Sequence, residues 1–296
     1  MTEAEGQEPR PVRADIRPLQ RRAPRVGYQG ERGAYSEDAV ASYFEECEVE
    51  PLATVREVFE RVEVGGLDYG VVPFENSQAG SINETYDLLL RHGVKIVGEV
   101  VVRVDHALLG VPGATLADVR NVLSHPQALA QCDEFLVAHG FSPVPFPDTA
   151  GAARRVADEG AKEHAAIAGR RAAELYGLHV LAESIQTFPE NFTKFVVIGE
   201  APPPGTGDPD KTSIVFAVTD VPGSLHRCLG GFAAHGINLN KIESRPQGGR
   251  PWRYVMYMDF AAGVDDPEAR AALEELAQHT SFVRVLGSYR AWRDEV

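Results

Sequence analysis

Cysteine is scarce in this chain. Cys47, Cys132 and Cys228 are odd in number, far apart and in no C-x-x-C arrangement. That excludes a disulfide framework and a cysteine zinc site, and points to a reducing cytoplasm. Positive charge is also short: 29 Lys and Arg against 43 Asp and Glu leave a formal net charge of −14. Such a surface repels polyanions, so neither nucleic acid nor an anionic membrane is an expected partner. Long apolar runs are missing. The best, Val94 to Val104, is broken by Lys95, Glu99 and Arg103 and falls well short of the ~20 residues of a membrane helix. The nine histidines form no H-x-H or H-x-x-x-H pair, so no metal site is expected. No P-loop occurs, and Gly27, Gly30 and Gly33 have the wrong first spacing for a dinucleotide fingerprint, so NAD is not an expected cofactor.

What is present is enough for about two globular domains: 296 residues, 44% hydrophobic and 24% charged. Residues 1–23 are rich in Glu, Arg and Pro and read as a disordered tail; Glu3, Glu5 and Glu8 and the lack of Ser speak against a transit peptide. Residues 24–200 alternate short Val-rich strands with helices. Val26–Gln29, Val49–Ala53, Tyr69–Pro73 and Ile96–Val104 read as strands, and Val55, Val58, Phe59 and Val62 give one intervening helix an apolar face. The same grammar repeats from Val119 through Asp148-Thr149 to Ala165–Ala168 and Phe195–Ile198. Ser81-x-x-Glu84 and Ser124-x-x-Gln127 have capping-box spacing. This is an α/β pattern of mostly parallel sheets, in two units of similar size with a cleft between them. Residues 201–210 are a Pro- and Gly-rich linker, and residues 211–292 follow the order βαββαβ of ferredoxin-like domains.

Small hydroxyl and amide residues stand at the strand-to-helix junctions: Ser36, Glu75-Asn76-Ser77, Ser124 with Gln127, and Thr149. Singly, each hydroxyl can be no more than a helix cap. Ligands of open α/β sheets lie at the carboxyl ends of the strands, where helix N-termini present free N–H groups, so the convergence marks a site for a small carboxylate. Asn191-Phe192-Thr193-Lys194-Phe195 adds a hydroxyl beside a cation, although alone it reads as an ordinary turn entering a strand.

These segments resemble the prephenate dehydratase family with its C-terminal ACT domain, and within it the plant-type arogenate dehydratases. The matching stretches are Gly30–Ser36 (GERGAYS), Val72–Gly80 (VPFENSQAG), Ser124–Leu129 (SHPQAL), Asp148-Thr149-Ala150, Ala172–Leu178 (AAELYGL) and Asn191–Phe195 (NFTKF). In the last domain Pro222-Gly223-Ser224-Leu225 and Glu243-Ser244-Arg245-Pro246 match the regulatory motifs. The resemblance implies a two-lobed fold like the type II periplasmic binding proteins, with the active site in the cleft. It implies decarboxylating dehydration of prephenate to phenylpyruvate without a cofactor. Thr193 would be the catalytic donor to the departing hydroxyl. Ser36, Asn76, Ser77, Gln127, Thr149, Lys194 and Phe195 would bind substrate, Lys194 holding a carboxylate with the helix N-termini. Glu75 would either bond a polar group or brace its loop.

Two positions depart from the family pattern: Lys194 replaces an arginine, losing the bidentate fork but keeping the charge, and Thr187 stands where an acidic residue is common. For the ACT domain the resemblance implies L-Phe bound between paired domains of a homodimer or homotetramer. Its contacts would be Pro222, Gly223, Ser224 and Leu225 and the strand end Glu243, Ser244, Arg245 and Pro246. The rival readings are an arogenate dehydratase releasing phenylalanine, a prephenate decarboxylase that keeps the hydroxyl, and a non-catalytic amino-acid sensor. Thr193 argues against the last two.

Overall fold

The computed structural model describes residues 22–219, 221–246 and 254–293. The expected tail, 1–23, lies outside them except for its last two residues.

The first lobe runs through β1 (Arg25–Gln29), α1 (Tyr35–Tyr43), β2 (Glu48–Leu52), α2 (Val55–Glu63), β3 (Tyr69–Asn76), the short β4 (Gly80–Ser81), α3 (Asn83–Arg91) and β5 (Lys95–Arg103). The chain then crosses to a second lobe. It comprises β6 (Ala107–Gly110), β7 (Asn121–Ser124), α4 (Pro126–Gln131), α5 (Asp133–His139), β8 (Ser142–Pro145), α6 (Thr149–Glu159), β9 (His164–Ala168), α7 (Arg170–Tyr176) and β10 (His179–Ala182). Strand β11 (Phe192–Gly199) returns to the first lobe and enters the middle of its sheet, in the order β2-β1-β3-β11-β5. Because it arrives from the far lobe it runs antiparallel to both β3 and β5. In the second sheet, β10-β6-β9-β7-β8, strand β6 is likewise antiparallel to both neighbours. The sheets are therefore mixed, where alternation alone predicts mostly parallel ones: a strand that closes a lobe from outside its βαβ run has no crossover helix to make it parallel.

Local signals set some of the helices. The apolar stripe of α2 is buried as its spacing predicts, and Thr54 caps it, accepting from the Glu57 N–H at 3.1 Å. Asp148 caps α6, accepting from the Gly151 N–H at 2.6 Å. The two capping boxes fail. Ser81 hydrogen-bonds Glu243 instead, and α3 starts at Asn83 without a side-chain cap. The buried Ser124 hydroxyl donates to the Ile167 carbonyl at 2.7 Å, and His125 caps α4. In both cases a tertiary partner takes the hydroxyl.

The C-terminal domain contains β12 (Lys211–Val218), α8 (Ser224–Ala234), β13 (Leu239–Pro246), β14 (Tyr254–Phe260), α9 (Pro267–Gln278) and β15 (Thr280–Tyr289), with sheet order β13-β14-β12-β15. One face of this sheet holds α8 and α9 through Phe216, Phe232, Met258, Phe260 and Leu276. The other packs on the first lobe: Val215, Tyr257, Leu286 and Tyr289 share one core with Phe59, Leu88, Leu89 and Ile96. Gly287 permits that contact, since a Cβ there would fall 2.0 Å from the Ile96 carbonyl oxygen.

Candidate active site

The lobes enclose a cavity of about 430 Å³, in the size range of small-molecule sites. Its wall is made of strand ends and the helices that follow them: Gln29 and Gly30 leading to Ser36, Asn76 at the end of β3, Gln127 after β7, and Thr149 after β8. Thr193 and Phe195 of β11 complete it. Six sequence-selected residues thus come together: Ser36, Asn76, Gln127, Thr149, Thr193 and Phe195.

Three others are not part of the wall, and each has a geometric reason. Thr193 and Phe195 face the cavity from alternate positions of one strand, so Lys194 between them faces away. Glu75 binds Lys241 of β13 at 2.8 Å, so it braces its strand against the C-terminal domain. Ser77 accepts from the Phe192 N–H at 3.0 Å and ties the two strand ends together. The register explains why Asn76 nevertheless reaches the cavity. Phe195 pairs with Pro73 but Lys194 pairs with Glu75, so β3 carries an extra residue. This bulge brings Pro73 and Asn76, an odd distance apart, onto the same side.

Asn76 organises the site. Its Oδ1 accepts from the backbone N–H groups of Gln78 (3.1 Å) and Ala79 (2.9 Å). Its Nδ2 therefore points the other way and donates to Asn191 Oδ1 (2.8 Å), the Phe192 carbonyl (3.1 Å) and Thr193 Oγ1 (3.0 Å). Thr193 is 9% exposed, and with its oxygen accepting from Asn76 its own proton is free to point into the cavity.

Tyr35, His106 and Gln131 also line the cavity, and sequence reasoning passes over them. His106 is 2% exposed; its Nε2 lies 2.9 Å from Gln131 Oε1 and its Nδ1 3.2 Å from the Tyr35 hydroxyl. Burial holds its imidazole pKa below the ordinary 6.5, against the raising effects of Gln131 and Asp105. Burial also holds Tyr35 well above the usual phenol value, so it stays neutral. A single His ahead of an apolar strand carries no spacing signal.

Among the described residues no Lys or Arg lies in the cavity wall, so an anion there would meet amides, hydroxyls and the free N–H groups at the starts of α1 and α6. Lys194→Met is accordingly expected to change kcat/KM by less than about threefold, as for a surface substitution. A tenfold loss in steady-state kinetics would put the ammonium back in the site.

In the C-terminal domain the turn Pro222-Gly223 enters α8 with Gly223 at φ +79°, a left-handed conformation that suits glycine. The buried Ser224 hydroxyl donates to the Val221 carbonyl. Glu243 and Arg245 face the first lobe, Glu243 bonding Ser81 and Arg245 reaching Asp87 at 3.0 Å.

Fold and cavity together define the class: a two-lobed α/β ligand-binding unit joined to a ferredoxin-like domain. Residues 26–203 match the family described as prephenate dehydratase, and residues 212–278 match the ACT domain. The chain belongs to the prephenate dehydratase family and is a lyase. Arogenate dehydratase/prephenate dehydratase 2, chloroplastic, of Arabidopsis thaliana is 46% identical over 275 residues, spanning 90% of this chain and 72% of its own. The structure of prephenate dehydratase from Arthrobacter aurescens in complex with L-Phe is similar at a TM-score of 0.81 and 31% identity, over 90% of this chain and 89% of that one. A structure described as GqqA, a novel type of quorum quenching acylase, is similar at 0.82 and 35% identity, over 90% and 98%.

Proposed function

We propose that this protein converts prephenate to phenylpyruvate for phenylalanine biosynthesis, with Thr193 as the donor to the departing oxygen. The bond from the ring to the carboxylate breaks, its electron pair enters the ring, and the opposite C–O bond breaks. Carbon dioxide and hydroxide leave, and the hydroxide takes up a proton to become water. Aromatisation drives the reaction, so the barrier lies in hydroxide departure, which a hydrogen bond to the leaving oxygen lowers. The observation that carries this reading is the Asn76 Nδ2 to Thr193 Oγ1 bond, which occupies the hydroxyl oxygen and leaves its proton for the cavity. Helix N-termini, Ser36, Gln127 and Thr149 would hold the substrate carboxylates, Phe195 would pack on the ring, and Asn76 would act through Thr193.

Arogenate is the alternative substrate, since the name of the Arabidopsis relative gives both activities. Specificity constants for the two compounds decide between them: a higher value for arogenate replaces the prephenate reading. An acylase reading has less support, because acyl transfer needs a nucleophile with a base beside it, and Thr193 instead faces an amide donor.

Regulation is read from the ACT domain and from the L-Phe complex of the Arthrobacter structure. L-Phe would bind between paired domains at Pro222–Leu225 and Glu243–Pro246, in a cytosolic homodimer or homotetramer. Saturating L-Phe is expected to lower turnover and to raise the melting temperature through linkage, by about 2.7 kcal/mol of stability at 100 times Kd. Unchanged melting would leave the domain a scaffold. Light scattering during gel filtration tests the assembly, and a monomer would reject it.

A further inference from the structure

We propose that His106 is a positioning residue: as a neutral ring with its proton on Nε2, it locks the chain of amides that keeps the Thr193 hydroxyl proton aimed at the cavity. The inference rests on the reading of Thr193 as the donor, and it follows from the direction of each hydrogen bond in the wall.

Amide orientations are set by their partners, and this chain is anchored where no choice exists. Backbone N–H groups can only donate, so the Asn76 atom facing Gln78 and Ala79 is its oxygen. Asn76 then presents its nitrogen to Asn191, which must answer with oxygen at 2.8 Å. Asn191 is left to offer its own nitrogen to Gln131, whose oxygen accepts at 3.0 Å. That same oxygen lies 2.9 Å from His106 Nε2, so this nitrogen must carry a proton. The other ring nitrogen faces the Tyr35 hydroxyl at 3.2 Å. Tyr35 donates its proton to the Asp105 carbonyl at 2.7 Å, and burial, which disfavours the charged imidazolium, leaves Nδ1 bare beside the hydroxyl oxygen.

The far end of the chain matters as much as the anchored one. With the proton on Nδ1 instead, a bare Nε2 would oppose Gln131 Oε1, and the amide would gain by turning over. Its nitrogen would then meet the Asn191 nitrogen. Turning Asn191 in response would set two NH₂ groups against each other at Asn76, disturbing the group that holds Thr193. An apolar side chain at 106 would leave Gln131 similarly unlatched, whereas glutamine could supply an N–H to the same oxygen.

Two measurements test this. In protein labelled with ¹⁵N histidine, His106 should show a protonated Nε2 and an unprotonated Nδ1 near neutral pH; the opposite tautomer or an imidazolium overturns the proposal. In kinetics, His106→Leu should lower kcat about tenfold or more with KM within about threefold, while His106→Gln recovers most of kcat. Equal losses in the two variants, both melting as wild type, also overturn it. The nitrogen shifts do not depend on turnover. If Thr193 proves dispensable, the donor reading fails visibly while the tautomer is still judged by its own signal.

Discussion

Thr193→Ala is expected to lower kcat by about 10²-fold or more, the loss typical of removing one preorganised donor from a developing oxyanion. The structure isolates that effect well. Thr193 reaches the cavity from β11, a strand bonded on both sides, so the backbone that carries it does not depend on its side chain. Asn76 keeps two of the three partners of its nitrogen, Asn191 and the Phe192 carbonyl, when the hydroxyl is removed. The melting temperature should therefore stay close to wild type. KM should change less than kcat, because the hydrogen bond strengthens as charge builds on the leaving oxygen. Thr193→Val, which keeps the shape, should lose as much as alanine, and Thr193→Ser should recover a large part. Near-wild-type turnover by the alanine variant would remove the donor from the mechanism.

The site was partly legible in the sequence because its hydroxyls sit where chain grammar is strongest, at the step from strand to helix. Ser36 and Thr149 lie in the first turns of the helices that follow β1 and β8, and Asp148 caps α6 as its position predicts. Thr193 and Lys194 show how a motif can mislead. They are neighbours in sequence and invite a joint role, yet on a strand neighbours point to opposite faces, and only one can face the cavity. Applied to Phe192–Gly199 once it is recognised as a strand, that rule alone separates the two. Asn76 is the reverse case. Without the bulge its parity relative to Pro73 would turn it away, and no residue type in Val72–Gly80 announces an extra position. Tyr35, His106 and Gln131 were illegible for another reason. They come from three separate segments, and what joins them is hydrogen-bond direction, which exists only after the lobes close. In the C-terminal domain the order βαββαβ was legible, and the structure has it as β12, α8, β13, β14, α9 and β15.

A large stability effect is expected away from the cleft. Lys211→Met should destabilise the protein by about 3–5 kcal/mol, the usual consequence of breaking a buried charge cluster by removing one partner. Lys211 on β12 is 4% exposed and lies 2.7 Å from Glu99 of β5 and 3.3 Å from Asp259 of β14. The remaining acceptors are occupied: Ser213 donates to Asp259 at 2.6 Å, and the Trp292 N–H to Glu99 at 3.0 Å. One ammonium thus joins a strand of the first lobe to two strands of the ACT sheet. Methionine fills similar volume but leaves two carboxylates facing each other out of water. Desolvation alone would lower the Lys211 pKa, yet Asp259 and Glu99 together raise it above 10.5. A raised folded-state pKa means that the lysine's contribution is complete below about 10.4, the unfolded value, and fades as pH rises through the folded one. The titration of Lys211 therefore gives the deficit of the variant no slope between pH 6 and 9, and urea midpoints across that range can check it. Adding Glu99→Leu to Lys211→Met should recover part of the loss, because the burial of one unpaired charge is then removed. A deficit under about 1 kcal/mol would mean that the cluster acts like an exposed ion pair and adds little to the joining of the two domains.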